Sequence, residues 1–193
     1  MRPTTRYRLK LFSAVVLAAV GLGCALSTAL AVAMPAKSVP IASSLGAVRE
    51  ARADVAARNG FQSGAATSLN SSALKAAPMS TSALLRAVYL QTRTGAAPNA
   101  ASLDALERSY SVAPFGPDAS LWRLRFVFDH WSQVTPSLRK QALAELDTLA
   151  YHRGRVFKTE DIADPQGRFI AEMNTMAALN QRAIRVAVAK VAR

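Results

Sequence analysis

The 193-residue chain has one cysteine, two histidines and twelve acidic residues, and each scarcity removes a class of chemistry. Cys24 is the only thiol, so no internal disulfide can form and the fold must be held by packing. With only His130 and His152, and with no HExxH or CxxC spacing, the chain offers neither a zinc ligand set nor a cysteine or serine nucleophile paired with a base. His130 sits beside Asp129 and Trp131, where packing is its ordinary role, and His152 falls at a helix end that favours a cation. Glu160, Asp161 and Asp164 lack the ligand alternation and pivotal glycine of a calcium loop, and no glycine-rich phosphate loop occurs. Glu145 and Asp147 read as a wet helix face. No catalytic residue, metal or cofactor is therefore expected. Aromatics are sparse at 7%. Runs of β-branched residues are few while Ala, Leu and Arg abound, which favours helix over strand and an all-α fold.

What the chain does have is one long apolar run. Residues 11–34 carry no charge over twenty-four positions and follow Arg2, Arg6, Arg8 and Lys10. As a helix the run measures about 36 Å, against a hydrocarbon core of about 30 Å. That length favours an uncleaved signal anchor over a secretory signal peptide. Cleavage stays open, because Ala29, Ala31 and Ala33 place small residues where a signal peptidase reads. Gly21 three places before Cys24 makes a poor lipobox, and a continuous apolar block is unlike an amphipathic transit peptide. Four positive charges precede the run and Lys37 alone closely follows it, so the N-terminus is expected in the cytoplasm and the rest outside. The organisation expected is a cytoplasmic basic region at 1–10, a signal anchor or signal peptide at 11–34, an Ala/Ser-rich stalk at 35–79, and an extracytoplasmic helical domain at 80–193. The location expected is the inner membrane, single-pass, with the C-terminal domain periplasmic; the alternative is secretion to the periplasm after cleavage.

In the stalk, Pro35, Pro40 and Pro78 punctuate one marginal helix over 42–58, where Leu45, Val48, Ala51 and Val55 recur at helical spacing. Asp54 and Arg58 form an i,i+4 pair on it, and Asn59 and Gly60 stop it. A short piece over 71–77 reads as the end of an incomplete hairpin or only as loop. From Ser80 the signal strengthens. Ser80 or Thr81 caps a helix bearing Leu84, Leu85, Val88 and Tyr89 that ends at Gly95. Asn99 or Ser102 caps a second, with Leu103, Leu106, Tyr110 and Ala113 in one stripe. After Pro114 and Pro117 break the chain, Asp118 caps a third helix over 119–132. Its Leu121, Leu124, Phe128 and Trp131 fill one side, and Trp122, Phe126 and Val127 much of the rest. A helix apolar nearly all round is a buried one, and Arg125 with Asp129 marks its wet strip. Thr135 and Pro136 open a fourth helix carrying Leu138, Ala142, Leu146 and Leu149 and closed by Gly154. Residues 156–163 read as a loop. Asp164 and Pro165 open a long fifth helix whose expected core stripe is Phe169, Met173, Met176, Ala177, Ile184, Val188 and Val191.

Pro78 and Pro114 lie 36 residues apart, near the period of about 34 of a tetratricopeptide repeat. Leu84 and Ala87 fit its first helix, Gly95 its turn and Pro114 its last position. The stretch 112–126, with its Pro114-Phe115-Gly116-Pro117 turn and Trp122-containing helix, followed by 135–146 opening on Thr135-Pro136, resembles small single-pass proteins of bacterial surface-polysaccharide gene clusters. The resemblance covers residues 80–151. It implies an N-terminal anchor, a small bundle of TPR-like helical hairpins, and an accessory role in exopolysaccharide assembly or export. No catalytic residue comes with it.

Setting aside the four positive charges ahead of the apolar run, the chain still carries 20 basic against 12 acidic residues. Arg139, Lys140, Arg153, Arg155, Lys158 and Arg168 gather around the fourth helix and the loop after it. Arginines grip carboxylates and phosphates bidentately, so these six are the candidate contacts for an anion or a partner, unless Glu145, Glu160 and Asp161 pair with them as part of a solvated face. The partners expected are an envelope protein, the inner membrane through 11–34 and an acidic polysaccharide, and not nucleic acid. The function expected is a non-catalytic membrane-anchored helical scaffold; the alternative is an exported binder of anionic glycan or lipid headgroups.

Overall fold

The computed structural model describes residues 3–33, 46–58, 63–93, 95–116 and 119–192. Expectations placed on Pro35, Lys37, Pro40, the Asn59-Gly60 stop and the Asp118 cap lie outside them. All regular structure among the described residues is helical. The chain divides into two compact units, Met1–Pro78 and Met79–Arg193.

In the first unit α1 runs Pro3–Ala33, α2 Gly46–Arg58 and α3 Ser63–Ala76. The N-terminal end of α2 meets the C-terminal end of α3, since Gly46 lies against Ala76 and Ala77, so the two helices are antiparallel. Their seam is built from small side chains. Val48, Ala53, Ala56 and Ala57 are buried on α2, and Ala66, Asn70 and Ala73 recur at i, i+4 and i+7 on α3. The sequence expectation gave α3 only its last turns, because its apolar positions are alanines with serines between them, a pattern of low hydropathy contrast. Asp54 and Arg58 pair at 2.8 Å as the spacing requires. Side chains of α1 are described without a break over 12–27, and those of 12–26 are all exposed. Among the described residues no helix is long and apolar enough to cross a membrane; that described stretch of α1 is shorter than the twenty-four-residue apolar run of the sequence.

The second unit contains α4 (Thr81–Thr92), α5 (Ala100–Val112), α6 (Ser120–Asp129), α7 (Pro136–Arg153), a 3-10 turn at Thr159–Asp161, and α8 (Pro165–Val191). Local chemistry sets the boundaries. Ser80, Asn99, Thr135 and Asp164 each accept a backbone N–H from three residues on, satisfying donors that the first turn leaves free. Pro136 and Pro165 occupy first-turn positions that need no donor. Gly154 ends α7 at φ +73°, a conformation that excludes most side chains.

Helix α6 lies at the centre, with Leu124, Phe126, Val127 and Phe128 buried and Leu121 exposed. Phe128 stacks on Trp131 and touches Phe157 from the later loop. Leu138, Ala142 and Leu146 of α7 and Leu84, Val88, Leu106 and Tyr110 of the α4–α5 hairpin complete the core. Asp129 ties the far loop to α6. It accepts the Arg125 guanidinium at 2.7 Å and the Ala163 N–H at 2.7 Å.

Helix α8 reverses its expected orientation. Its buried residues are Gly167, Ala171, Thr175 and Ala178, whereas Phe169, Met173, Met176, Ala177, Ile184, Val188 and Val191 are all exposed. Gly167 shows why. A Cβ there would stand 2.0 Å from the Phe128 carbonyl oxygen and 3.1 Å from Trp131 Cβ. The helix approaches so closely that only its small face fits inward, and its large apolar residues are left outside.

Candidate functional site

Helix α5 ends at a proline-broken corner that leaves backbone carbonyls without intrahelical donors. Arg123, one turn into α6 and fully buried, supplies two of them and adds a second bond to the Ser109 carbonyl, which already accepts the Ala113 N–H. Its guanidinium donates to the carbonyls of Ala113 at 2.7 Å, Ser109 at 3.2 Å and Pro114 at 3.2 Å, and its carbon lies 4.2 Å from the centre of the Tyr110 ring. The charge is balanced by Glu145 of α7, whose Oε1 accepts both from Arg123 and from the Ser120 hydroxyl at 2.6 Å. Glu145 is 1% exposed. The expectation that it lay on a wet face is therefore corrected: it follows Ala142 by three residues and precedes Leu149 by four, which places it on the buried stripe of α7.

Three atoms of this cluster lack a hydrogen bond: Tyr110 Oη, Arg123 Nε and Glu145 Oε2. Burial pushes the Tyr110 phenol far above its ordinary range, and the Glu145 carboxylate raises it further. Burial also raises Glu145, against the opposing pull of the Ser120 hydroxyl and the Arg123 guanidinium. An unpaired phenol donor beside an unpaired carboxylate oxygen makes a complementary pair that a small rotation can close. The cluster locks the α5–α6 corner onto α7. An open cleft of about 180 Å³ borders it, lined by Phe115, Ser120, Thr148, Leu149, His152 and Arg153.

The six basic candidates are distributed around this body rather than converged. Arg155 and Lys158 share one cleft with Glu160 and Glu172, and Arg155 also donates to Met176 Sδ at 2.9 Å. Arg153 lines the cleft beside Glu145. Arg139 is engaged inward, donating to the Trp131 carbonyl at 3.0 Å with its guanidinium over the indole. Lys140 and Arg168 are exposed on α7 and on the first turn of α8. His130 places Nδ1 2.9 Å from the Phe126 carbonyl and stacks on the Phe126 ring, a packing role.

Sequence reasoning passed over Arg123, although a signal was present. An arginine in the middle of a helix apolar nearly all round, and off its wet strip, must either break the burial or bring a partner with it. Glu145 stands on the apolar stripe of the next helix. Comparison of the chain with protein families, with curated proteins and with solved structures gives no match. Function must be argued from the chain itself.

Proposed function

We propose that the protein is a non-catalytic, membrane-anchored helical scaffold of the bacterial envelope, whose second unit docks partner proteins, and that exopolysaccharide assembly or export is its setting. One observation supports the anchor in this reading. Every residue from 12 to 26 of α1 is exposed, Phe12, Val15, Leu17, Val20 and Leu22 among them, and consecutive exposed positions over that stretch leave no side of it covered. A helix apolar and uncovered on all sides suits lipid rather than water. The positive charges ahead of it favour a cytoplasmic N-terminus. The alternative, an exported binder of anionic glycan or lipid, retains the exposed Lys140, Arg153, Arg155, Lys158 and Arg168; Arg139 is occupied by Trp131.

Membrane retention tests the proposal. Wild-type protein should remain in the membrane pellet after an alkaline carbonate wash, and its C-terminal unit should be protease-accessible in spheroplasts. Leu17→Glu with Val20→Arg should release at least tenfold more protein. Release of the wild type, or full retention of the double variant, overturns the anchor.

A further inference from the structure

We propose that the outer face of α8 pairs with α8 of a second copy, antiparallel about a two-fold axis through Asn180. The exposed stripe is Phe169, Met173, Met176, Asn180, Ile184, Ala187 and Val191. Its steps are four, three and four residues, taken twice. This is an eleven-residue period, so close to the turn of an α-helix that the stripe runs nearly straight along one face. The steps are also symmetric about Asn180. In a reversed second copy Phe169 therefore meets Val191, Met173 meets Ala187 and Met176 meets Ile184, a large residue against a smaller one each time.

Asn180 then meets its own equivalent. An amide carries both donor and acceptor and can pair with itself, and one polar residue within an apolar seam fixes register. The flanking charges select the same direction. Glu172 is the only acid of α8, and it lies on the same side of the stripe as Lys190, eight residues before Asn180 where Lys190 is ten after it. Antiparallel pairing brings each Glu172 toward Lys190 of the other copy; parallel pairing leaves Glu172 and Lys190 of the two copies about 27 Å apart along the axis and sets Phe169 against Phe169. Glu172 forms no ion pair with another described residue.

The end of α8 adds a second reason. Every residue from 181 to 192 is exposed, and the contacts there are the polar ends of Arg182 near Gly154 and Arg185 over Tyr151. The apolar face of these turns stays open, although a helix gains most of its stability from packing such a face. The stripe is about 33 Å long on a helix about 10 Å across. That footprint, about 330 Å² per copy, is in the range of weak, transient interfaces, so association is expected to be weak and concentration-dependent.

The inference deepens the scaffold reading by naming a first partner, and its readout is separate from membrane retention, so either can fail alone. The test uses the full chain in detergent with Cys24→Ser and single cysteines on exposed positions, treated with a short bis-maleimide. Asn180→Cys should give at least tenfold more covalent dimer than the off-stripe Gln181→Cys. Met173→Cys alone should not cross-link above that control, but should do so when mixed with Ala187→Cys. Self-linking of Met173→Cys to the level of Asn180→Cys would mean parallel pairing and overturn the proposal. Cross-linking nowhere above Gln181→Cys would show that a second copy does not cover this face, and would overturn it as well.

Discussion

Helix α6 takes a charged residue fully inside, whereas α8 leaves Phe169, at 64% exposure, and Val191, at 89%, in the open. Residue type alone would assign these the other way round. The difference lies in what surrounds each helix. Around α6 the corner after α5 presents carbonyls that need donors, and Arg123 satisfies those of Ala113 and Pro114 while Glu145 balances the charge. Against α8 stand the Phe128 carbonyl and the Trp131 side chain, at a distance only Gly167 tolerates. Burial follows the space and the unmet hydrogen bonds a neighbour offers, and hydropathy decides only what remains.

The comparison can be broken most severely at the charged pair. Arg123→Met or Glu145→Leu alone should each cost about 3–5 kcal/mol by leaving a buried charge unpaired. The double variant should recover the part due to the unpaired charge and retain the cost of the corner carbonyls left without Arg123. Urea titrations of all four proteins measure this. Equal additive losses would show that the two residues act independently. Next in size, Gly167→Ala should cost about 1–3 kcal/mol, because the added methyl forces α8 away from α6.

A smaller effect is expected from pH. The folded state holds the Glu145 proton more tightly than the unfolded chain does. This group's contribution to stability is therefore present at low pH and is lost as pH rises from the ordinary carboxylate range through the raised folded pKa. Relative to wild type, Glu145→Gln should lack that decline when urea midpoints are compared across pH. The smallest change in folding stability, within about 0.5 kcal/mol at low protein concentration, is expected for Ile184→Ser on the outer face of α8. A large loss there would mean that the face is buried after all.

Much of the second unit was legible because its signals are local. Ser80, Asn99, Thr135 with Pro136, Asp164 with Pro165, and Gly154 mark helix ends through chemistry confined to three or four residues. The i,i+4 pairs Asp54–Arg58 and Arg125–Asp129 were legible for the same reason. Two features were not. Arg123 and Glu145 are twenty-two residues apart, and pairing at that distance depends on how α6 and α7 meet. The buried face of α8 is glycine, alanine and threonine, which a search for large apolar residues passes over; closeness of approach selected it, and closeness is a property of the neighbour. The alanine seam of α2 and α3 escaped notice on the same grounds.

The central claim is that the apolar face of α8, apart from the Arg155 guanidinium on Met176, is open in a single copy and covered by association. Hydroxyl-radical footprinting of the full chain in detergent, read at Met173 over a series of protein concentrations, addresses it directly. Oxidation of Met173 should be high in dilute protein and fall severalfold as concentration rises, while Met79, also exposed, stays constant. Oxidation of Met173 that does not change with concentration would contradict the account.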